Sequence, residues 1–219
     1  MPDVFDLAPK AELHLHLEGA IPPRTLWELI QGYGGDEAVS DLAALRERFV
    51  FTDFAHFIDT WWWMTGFVRT EDDFTVVAEA VARGLAAQNI VYAEASFSPS
   101  DFERHALSPQ QIAAAIRRGL DRVTETRVVL NVDLVRDTGA DHAARTLESV
   151  IEIAQDADVR GITIGGSEQT HPPAPFASVY RRAESAGLRL TAHAGEAAGP
   201  ESVWSALRDL GVERIGHGV

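Results

Sequence analysis

Hydrophobic and ionisable positions alternate strictly near the start of the chain. Three leucines fall on one parity and four ionisable residues on the other: Leu13, Leu15 and Leu17 against Glu12, His14, His16 and Glu18. Residues i and i+2 of a β-strand point to the same face of the sheet. The pattern therefore predicts a strand over residues 11–17 with one apolar face and one face that carries both histidines.

The rest of the chain alternates between strand-like and helical patterns. Further strands are predicted over residues 89–95, 127–134, 161–166, 188–193 and 214–217. Helices are predicted over residues 25–31, 41–48, 71–88, 108–125, 138–156, 174–186 and 200–210, and a further one starts at Thr52-Asp53 with Thr52 as its cap. Strands that alternate with helices indicate βαβ units and a parallel sheet.

Two architectures fit this alternation, an open doubly wound sheet and a (β/α)8 barrel. No Gly-x-Gly-x-x-Gly stretch follows any predicted strand, so a dinucleotide-binding doubly wound sheet lacks support. Candidate functional histidines and glycines lie instead at the C-terminal ends of several strands. In a barrel these ends converge on one face. We therefore expect a single-domain α/β chain of the (β/α)8 TIM-barrel type over residues 1–219.

The helix after Asp53 has an unusually aromatic stripe. Phe54, Phe57, Ile58 and Trp61 follow one another at helical spacing. The stripe has two interpretations. It packs in the hydrophobic core, or it forms a lid over a flat aromatic substrate.

Composition narrows the functional classes. The 219 residues carry a net charge of −14 and form no basic stripe, which argues against nucleic-acid binding. With no cysteine in the chain, any metal must be held by His, Asp or Glu. No stretch approaches the roughly 18 apolar residues of a membrane helix, and the N-terminus lacks the pattern of a signal peptide. We expect a soluble, cytoplasmic protein.

Three clusters at predicted strand ends suggest metal chemistry. They are His14-Leu15-His16, His193-Ala194-Gly195-Glu196 and Gly216-His217-Gly218. Neutral imidazole is a common zinc ligand. His-x-His alone is equally compatible with a solvated edge strand, but three such clusters in one chain favour a common site. The remaining histidines are interpreted as surface residues: His56, His105, His142 and His171.

Taken together, these stretches resemble the adenosine deaminase family of metal-dependent hydrolases. The similarity covers residues 9–19, Tyr92-Ala93-Glu94 with Ser98-Pro99, residues 161–168, and the clusters around His193 and His217, in the family's order. The resemblance implies a (β/α)8 barrel with one zinc ion at its C-terminal face. It also implies hydrolytic removal of the 6-amino group of a purine, with release of ammonia.

The resemblance also implies roles for individual residues. Zinc would be bound by His14, His16 and His193, and would activate water for attack on C6. Glu196 would protonate the ring nitrogen beside C6, and His217 would hold or deprotonate the water. The substrate would be bound by His16, Glu18, the backbone N–H of Gly166, Phe54 and Trp61, and this favours the lid interpretation of the aromatic helix.

The chain departs from the family pattern in three places. The family's last strand carries a zinc-binding Asp in a Ser-Leu-Asn-Thr-Asp-Asp-Pro-like motif that this sequence lacks. A complete barrel needs about 250 residues, so we expect a barrel truncated after strand six. Alternatively, another chain supplies the missing part, or the protein is not a working enzyme. Glu18 also replaces the Asp of classical adenosine enzymes, and Ser96 replaces an Arg of many relatives.

Three functional hypotheses follow. The first is a zinc-dependent deaminase of adenosine or a related 6-aminopurine nucleoside. The second keeps the reaction but changes the substrate to free adenine, a modified adenosine or an aminofutalosine-type nucleoside. The third is a metal-free binding barrel. For the enzymes the partner is a small purine, with no nucleic acid and no membrane, and the oligomeric state is left open.

Overall fold

Six strands form one sheet in chain order. The structure, a computed structural model, describes residues 4–219 apart from the side chain of Asp6. The strands are β1 (Lys10–His16), β2 (Ile90–Phe97), β3 (Arg127–Asp133), β4 (Val159–Thr163), β5 (Arg189–Ala194) and β6 (Arg214–His217). Their order in the sheet is β1-β2-β3-β4-β5-β6. Each strand lies within a few residues of its predicted position.

Helices separate the strands. They are α1 (Val4–Leu7), α2 (Pro23–Gly32), α3 (Leu42–Arg48), α4 (Phe54–Thr65), α5 (Glu71–Ala87), α6 (Pro109–Leu120), α7 (Ala140–Ile153), α8 (Ala177–Ser185) and α9 (Pro200–Asp209). Short 3₁₀ turns span Pro99–His105, Arg136–Thr138 and Ala174–Phe176. The sequence did not predict α1 or the first two 3₁₀ turns, since elements this short show no helical periodicity. Among residues 4–219, no helix is long and apolar enough to cross a membrane.

The chain divides into two compact units. Unit 1 contains the described residues up to Ala93 together with residues 101–107 and 115–128. Unit 2 contains residues 94–100, 108–114 and 129–219.

Helix starts in unit 1 follow from local hydrogen bonds. Thr70 and Asp73 form a capping box at the start of α5. At the start of α4 the predicted cap, Thr52, is wrong. Asp53 is the cap instead. Its backbone is extended, and its Oδ1 accepts a 2.8 Å hydrogen bond from the N–H of His56, which lies in the first turn of the helix and has no partner within it.

Parallel pairing organises unit 2. β3 pairs with β4, β4 with β5, and β5 with β6, with Ala192 opposite Ile215 and His193 opposite Gly216. Arg214 of β6 forms an ion pair with Glu94, on the part of β2 that belongs to this unit. Because these strands are four positions apart in the sheet, the sheet must curve to bring them together. Six strands in chain order in one sheet, a helix between each pair of consecutive strands and parallel pairing from β3 to β6 confirm the predicted (β/α)8 barrel class.

Candidate active site

Two histidines lie side by side at the end of β1. The ring centroids of His14 and His16 are 5.7 Å apart, so both rings are on one face of the strand, as the alternation predicted. His14 is exposed and His16 is half-buried. β1 ends at His16, one residue before the predicted end of the strand, and Glu18 lies in the turn that follows. Both Leu17 and Glu18 are buried there.

Helix α4 packs an aromatic ring against His16. The Trp61 ring meets the His16 ring edge-on, with centroids 5.7 Å apart. The indole N–H of Trp61 donates a 2.9 Å hydrogen bond to the buried carboxylate of Asp101, which fixes the rotation of the ring. A Cβ atom at Gly19 would lie 3.3 Å from the same ring. A side chain at position 19 would therefore press against the Trp61 ring, which would have to shift by a few tenths of an ångström.

The aromatic stripe continues away from His16 along α4. Ring centroids are 6.2 Å apart for Trp61 and Phe57 and 5.9 Å apart for Phe57 and Phe54. None of the stripe residues is fully buried, and Phe54 is 39% exposed. The buried residues of this helix are Thr60, Met64 and Thr65. Core packing therefore does not account for the stripe, which leaves apolar ring surface accessible beside His16.

In unit 2, His193 is buried at the end of β5. Its Nδ1 lies 3.1 Å from the hydroxyl oxygen of Thr163 on β4, within hydrogen-bond distance. Its N–H donates to the Ile164 carbonyl, and its own carbonyl accepts a 2.6 Å bond from the guanidinium of Arg136. Backbone and ring are thus both fixed by neighbouring strand ends.

A carboxyl group and a second imidazole lie next to His193. The His217 ring centroid is 5.4 Å from that of His193, and His217 Nε2 is 3.4 Å from Glu196 Oε2. Burial raises the pKa of the Glu196 carboxyl; His217 partly opposes this, while the negative charge of Glu168 adds to it. A carboxyl group with a raised pKa holds its proton closer to neutral pH, as a general acid requires.

Gly166 follows β4 in a conformation that favours glycine. Its φ is +102°, and a Cβ atom there would lie 2.0 Å from a carboxylate oxygen of Asp137. On either side, the Gly165 N–H donates to Asp133 at 2.7 Å and the Ser167 N–H donates to Asp137 at 2.8 Å. The carboxylates of Asp133, at the end of β3, and Asp137, in the turn after it, therefore hold the backbone on both sides of Gly166.

The predicted site residues thus fall into two groups. His14, His16 and the aromatic residues Trp61 and Phe54 lie in unit 1, with Glu18 buried just after the strand. His193, Glu196, His217 and Gly166 lie in unit 2. The four histidines interpreted as surface residues are half-buried and belong to neither group: His56, His105, His142 and His171.

Two buried charged residues in unit 2 were missed. Glu168 accepts hydrogen bonds from the loop that carries Glu196, and Arg136 donates to the carbonyls of Ile164, His171 and His193. Glu168 lies in the family-like stretch of residues 161–168, but its position in the sequence indicates no role for it. Arg136 lies three residues after the end of β3, and a charged residue so close to the end of a hydrophobic strand is the signal that points to it.

Comparison with known proteins places the chain in a family. An adenine deaminase of Albidiferax ferrireducens is 36% identical over all of this chain and 64% of its own length. An aminodeoxyfutalosine deaminase of Streptomyces avermitilis is 36% identical over 96% of this chain and 60% of its own. A crystal structure of an amidohydrolase from Burkholderia ambifaria with bound Zn superposes with a TM-score of 0.87 and 28% identity, over 98% of this chain and 60% of that one.

This chain therefore spans less than two thirds of the length of these relatives. The family model described as adenosine deaminase matches residues 9–219, which include both groups of site residues. The chain belongs to the adenosine deaminase family.

Proposed function

We propose that this protein is a zinc-dependent hydrolase that removes the 6-amino group of an adenine- or adenosine-like substrate and releases ammonia. The pairing of Glu196 with His217 beside the buried His193 carries the proposal, since an acid and a second imidazole next to a candidate ligand provide for both proton transfers. Membership of a deaminase family supports the reaction class.

The proposed zinc ligands are His14, His16 and His193. Three imidazoles with no thiolate are a donor set that catalytic zinc accepts, and the chain offers no cysteine as an alternative. The relative from Burkholderia ambifaria has bound Zn. A bound Zn²⁺ would lower the pKa of water toward neutrality and so supply the nucleophile.

The chain's own residues would handle the protons and orient the base. Glu196, whose pKa is raised by burial, would donate a proton to the ring nitrogen beside C6 and make that carbon more electrophilic. His217 would orient the incoming water and accept its proton, which then passes to the departing amine. Water adds at C6 and the C–N bond breaks. The new C6 hydroxyl returns its proton to the Glu196 carboxylate as it becomes the 6-oxo group, so the products are ammonia and the 6-oxo purine and Glu196 is protonated again.

Binding of the base would use backbone and aromatic groups. The backbone N–H of Gly166, held between Asp133 and Asp137, would donate to a second ring nitrogen. The accessible faces of Trp61 and Phe54 would cover the purine, which excludes water from the reacting centre. The partner is a small molecule in the cytoplasm, and the net charge of −14 argues against nucleic acid.

The substrate within this class is a choice between the base and a nucleoside. Relatives at equal identity are named adenine deaminase and aminodeoxyfutalosine deaminase, so the likeness does not separate the two. Buried Glu18 lies directly after the histidine strand, where the family's nucleoside enzymes carry a shorter Asp. The longer side chain leaves less room for a sugar and favours adenine over adenosine.

The test is zinc content followed by ammonia release from a substrate panel. We expect about one zinc ion per chain, and turnover of one member among adenine, adenosine and an aminofutalosine-type nucleoside. His193→Ala should remove both the zinc and the ammonia release, while the matched variant His142→Ala should retain both. Bound zinc without turnover of any 6-aminopurine would contradict the reaction. Turnover that persists in His193→Ala would contradict the metal site.

A further inference from the structure

Glu168 is a buried carboxylate that accepts hydrogen bonds from most of the backbone N–H groups of the loop between β5 and α9. Its Oε1 accepts a 2.7 Å bond from the Gly195 N–H and a bond from the Ser202 hydroxyl. Its Oε2 accepts from three successive N–H groups, those of Glu196, Ala197 and Ala198, at 3.0, 2.8 and 3.1 Å. Five donors therefore converge on one side chain that is 3% exposed.

The loop concerned carries the proposed general acid. Residues 195–198 join β5 to α9 and contain no regular secondary structure, so their N–H groups have no strand or helix partners. Gly195 has φ +73°, which turns the chain directly after β5. The bonds to Glu168 replace regular secondary structure in fixing the backbone from which the Glu196 side chain projects.

The charge on Glu168 strengthens this hold. Burial raises the pKa of the carboxyl, but the hydrogen bonds from Ser202 and from the loop N–H groups together lower it by more. The pKa of Glu168 therefore lies below its usual range. Glu168 is therefore ionised at neutral pH, and hydrogen bonds to an ionised acceptor are stronger than those between neutral groups.

The position of Glu168 is itself fixed from β3. The loop after β4 that leads to Glu168 is held by Asp133 at Gly165 and by Asp137 at Ser167. Carboxylates thus connect three consecutive strand ends. Asp133 and Asp137, at and just after the end of β3, hold the loop after β4. Glu168, in the loop after β4, holds the loop after β5.

We propose that Glu168 is a positioning residue that orients the Glu196 carboxyl by binding the backbone of residues 195–198. The inference rests on the proposed function for its catalytic consequence. Its structural part, the hold on the loop, stands on the hydrogen bonds alone. A general acid misplaced by about 1 Å loses on the order of 100-fold in rate, so this hold is worth a measurable part of turnover.

The test compares Glu168→Gln with Glu168→Asp and with the surface control Glu148→Gln. Glutamine keeps the shape but turns one acceptor into an NH₂ donor that faces N–H groups. Aspartate keeps the charge but is shorter. Glu148 is an exposed ion-pair partner of Arg182, so its replacement removes one charge of the same sign without touching the loop.

Two readouts are needed, amide hydrogen exchange of the full chain and steady-state kinetics on the best substrate of the panel. In Glu168→Gln, peptides covering residues 194–199 should exchange at least about tenfold faster, while those covering β3 stay unchanged. We expect kcat to fall by about 30-fold or more with KM within about threefold, because Glu168 orients the acid without binding the substrate. Glu168→Asp should recover part of both, and Glu148→Gln should match the wild type.

If Glu168→Gln does not fold, Ser202→Ala removes a single bond to the same oxygen and should shift both readouts in the same direction, by less. Unchanged exchange of the loop overturns the proposal whatever happens to kcat. Faster exchange with unchanged kcat overturns the catalytic part. A wild-type protein without deaminase activity refutes the proposed function instead, and loop exchange alone then decides whether Glu168 holds residues 195–198.

Discussion

The strand ends of β1 and β5 both present histidines, but they hold them differently. At β1, strand alternation places His14 and His16 on one face, and the Trp61 ring packs edge-on against His16. At β5, His193 is buried and held by Thr163 and by the guanidinium of Arg136.

This difference separates local from long-range positioning. The β1 pair is placed by backbone geometry that any strand supplies, so its side chains contribute chemistry and little stability. The β5 group is placed by buried charged residues from two other strand ends, so its supports contribute to both. Substitutions in the two regions should therefore differ most in the free energy of unfolding.

The largest effect on stability is expected for Arg136→Met. The fully buried guanidinium donates to the carbonyls of Ile164, His171 and His193, and burial lowers its pKa. Its loss removes all three bonds, while the Ile164 carbonyl keeps the bond from the His193 N–H, and should lower the unfolding free energy by about 3–5 kcal/mol. Urea denaturation measures this, with the exposed Arg145→Met as control. A loss below about 1 kcal/mol would show that the β5 end is not held by this network.

A smaller, pH-dependent effect is expected for Glu168→Gln. Loss of bonds to an ionised acceptor should lower the unfolding free energy by about 2–4 kcal/mol at pH 7. The folded-state pKa of Glu168 is lowered, so its contribution is present above the unfolded-state pKa and disappears as the pH falls through the folded-state pKa. The difference between wild type and variant should therefore shrink on acidification. A difference independent of pH would contradict the ionised state.

Trp61→Phe probes the indole ring that packs edge-on against His16. The variant keeps an aromatic ring but loses the indole N–H bond to Asp101, so a loss of about 1–2 kcal/mol is expected in urea denaturation. The exposed Trp62→Phe is the matched control and should be nearly neutral. Equal losses in the two variants would mean that the bond to Asp101 does not position Trp61.

The smallest effect on stability is expected for His14→Ala. The side chain is exposed on β1, so the metal-free protein should change by less than about 0.5 kcal/mol. Zinc binding should nevertheless be lost, which isothermal titration with zinc would measure. A large loss of stability in the metal-free protein would remove the contrast between the two strand ends.

The fold and the β1 pair could be predicted from the sequence because both follow from local periodicity. Strand alternation placed His14 and His16 on one face. The strand–helix alternation indicated a parallel sheet, and the histidines and glycines at the strand ends favoured the barrel over an open sheet. Alternation failed where the strand stopped, at Glu18, which lies in a turn. The cap of α4 was misplaced by one residue, from Asp53 to Thr52.

The supports of the β5 group could not be predicted in the same way. Arg136 and Glu168 act over 57 and 27–34 residues of sequence separation, and no periodic pattern indicates such contacts. The aromatic stripe was ambiguous for a related reason. Spacing alone does not tell whether a helical face lies in the core or beside a site, and only the contact of Trp61 with His16 distinguishes the two.

The most direct test of the central claim is ammonia release by Glu196→Gln relative to the wild type, with zinc-loaded protein and the best substrate of the panel. Glutamine preserves the side-chain shape but cannot donate the acidic proton. The account predicts a fall in kcat of about 100-fold or more, with zinc still bound. A Glu196→Gln variant that turns over at the wild-type rate would contradict the assignment of Glu196 as the general acid and the deaminase mechanism built on it.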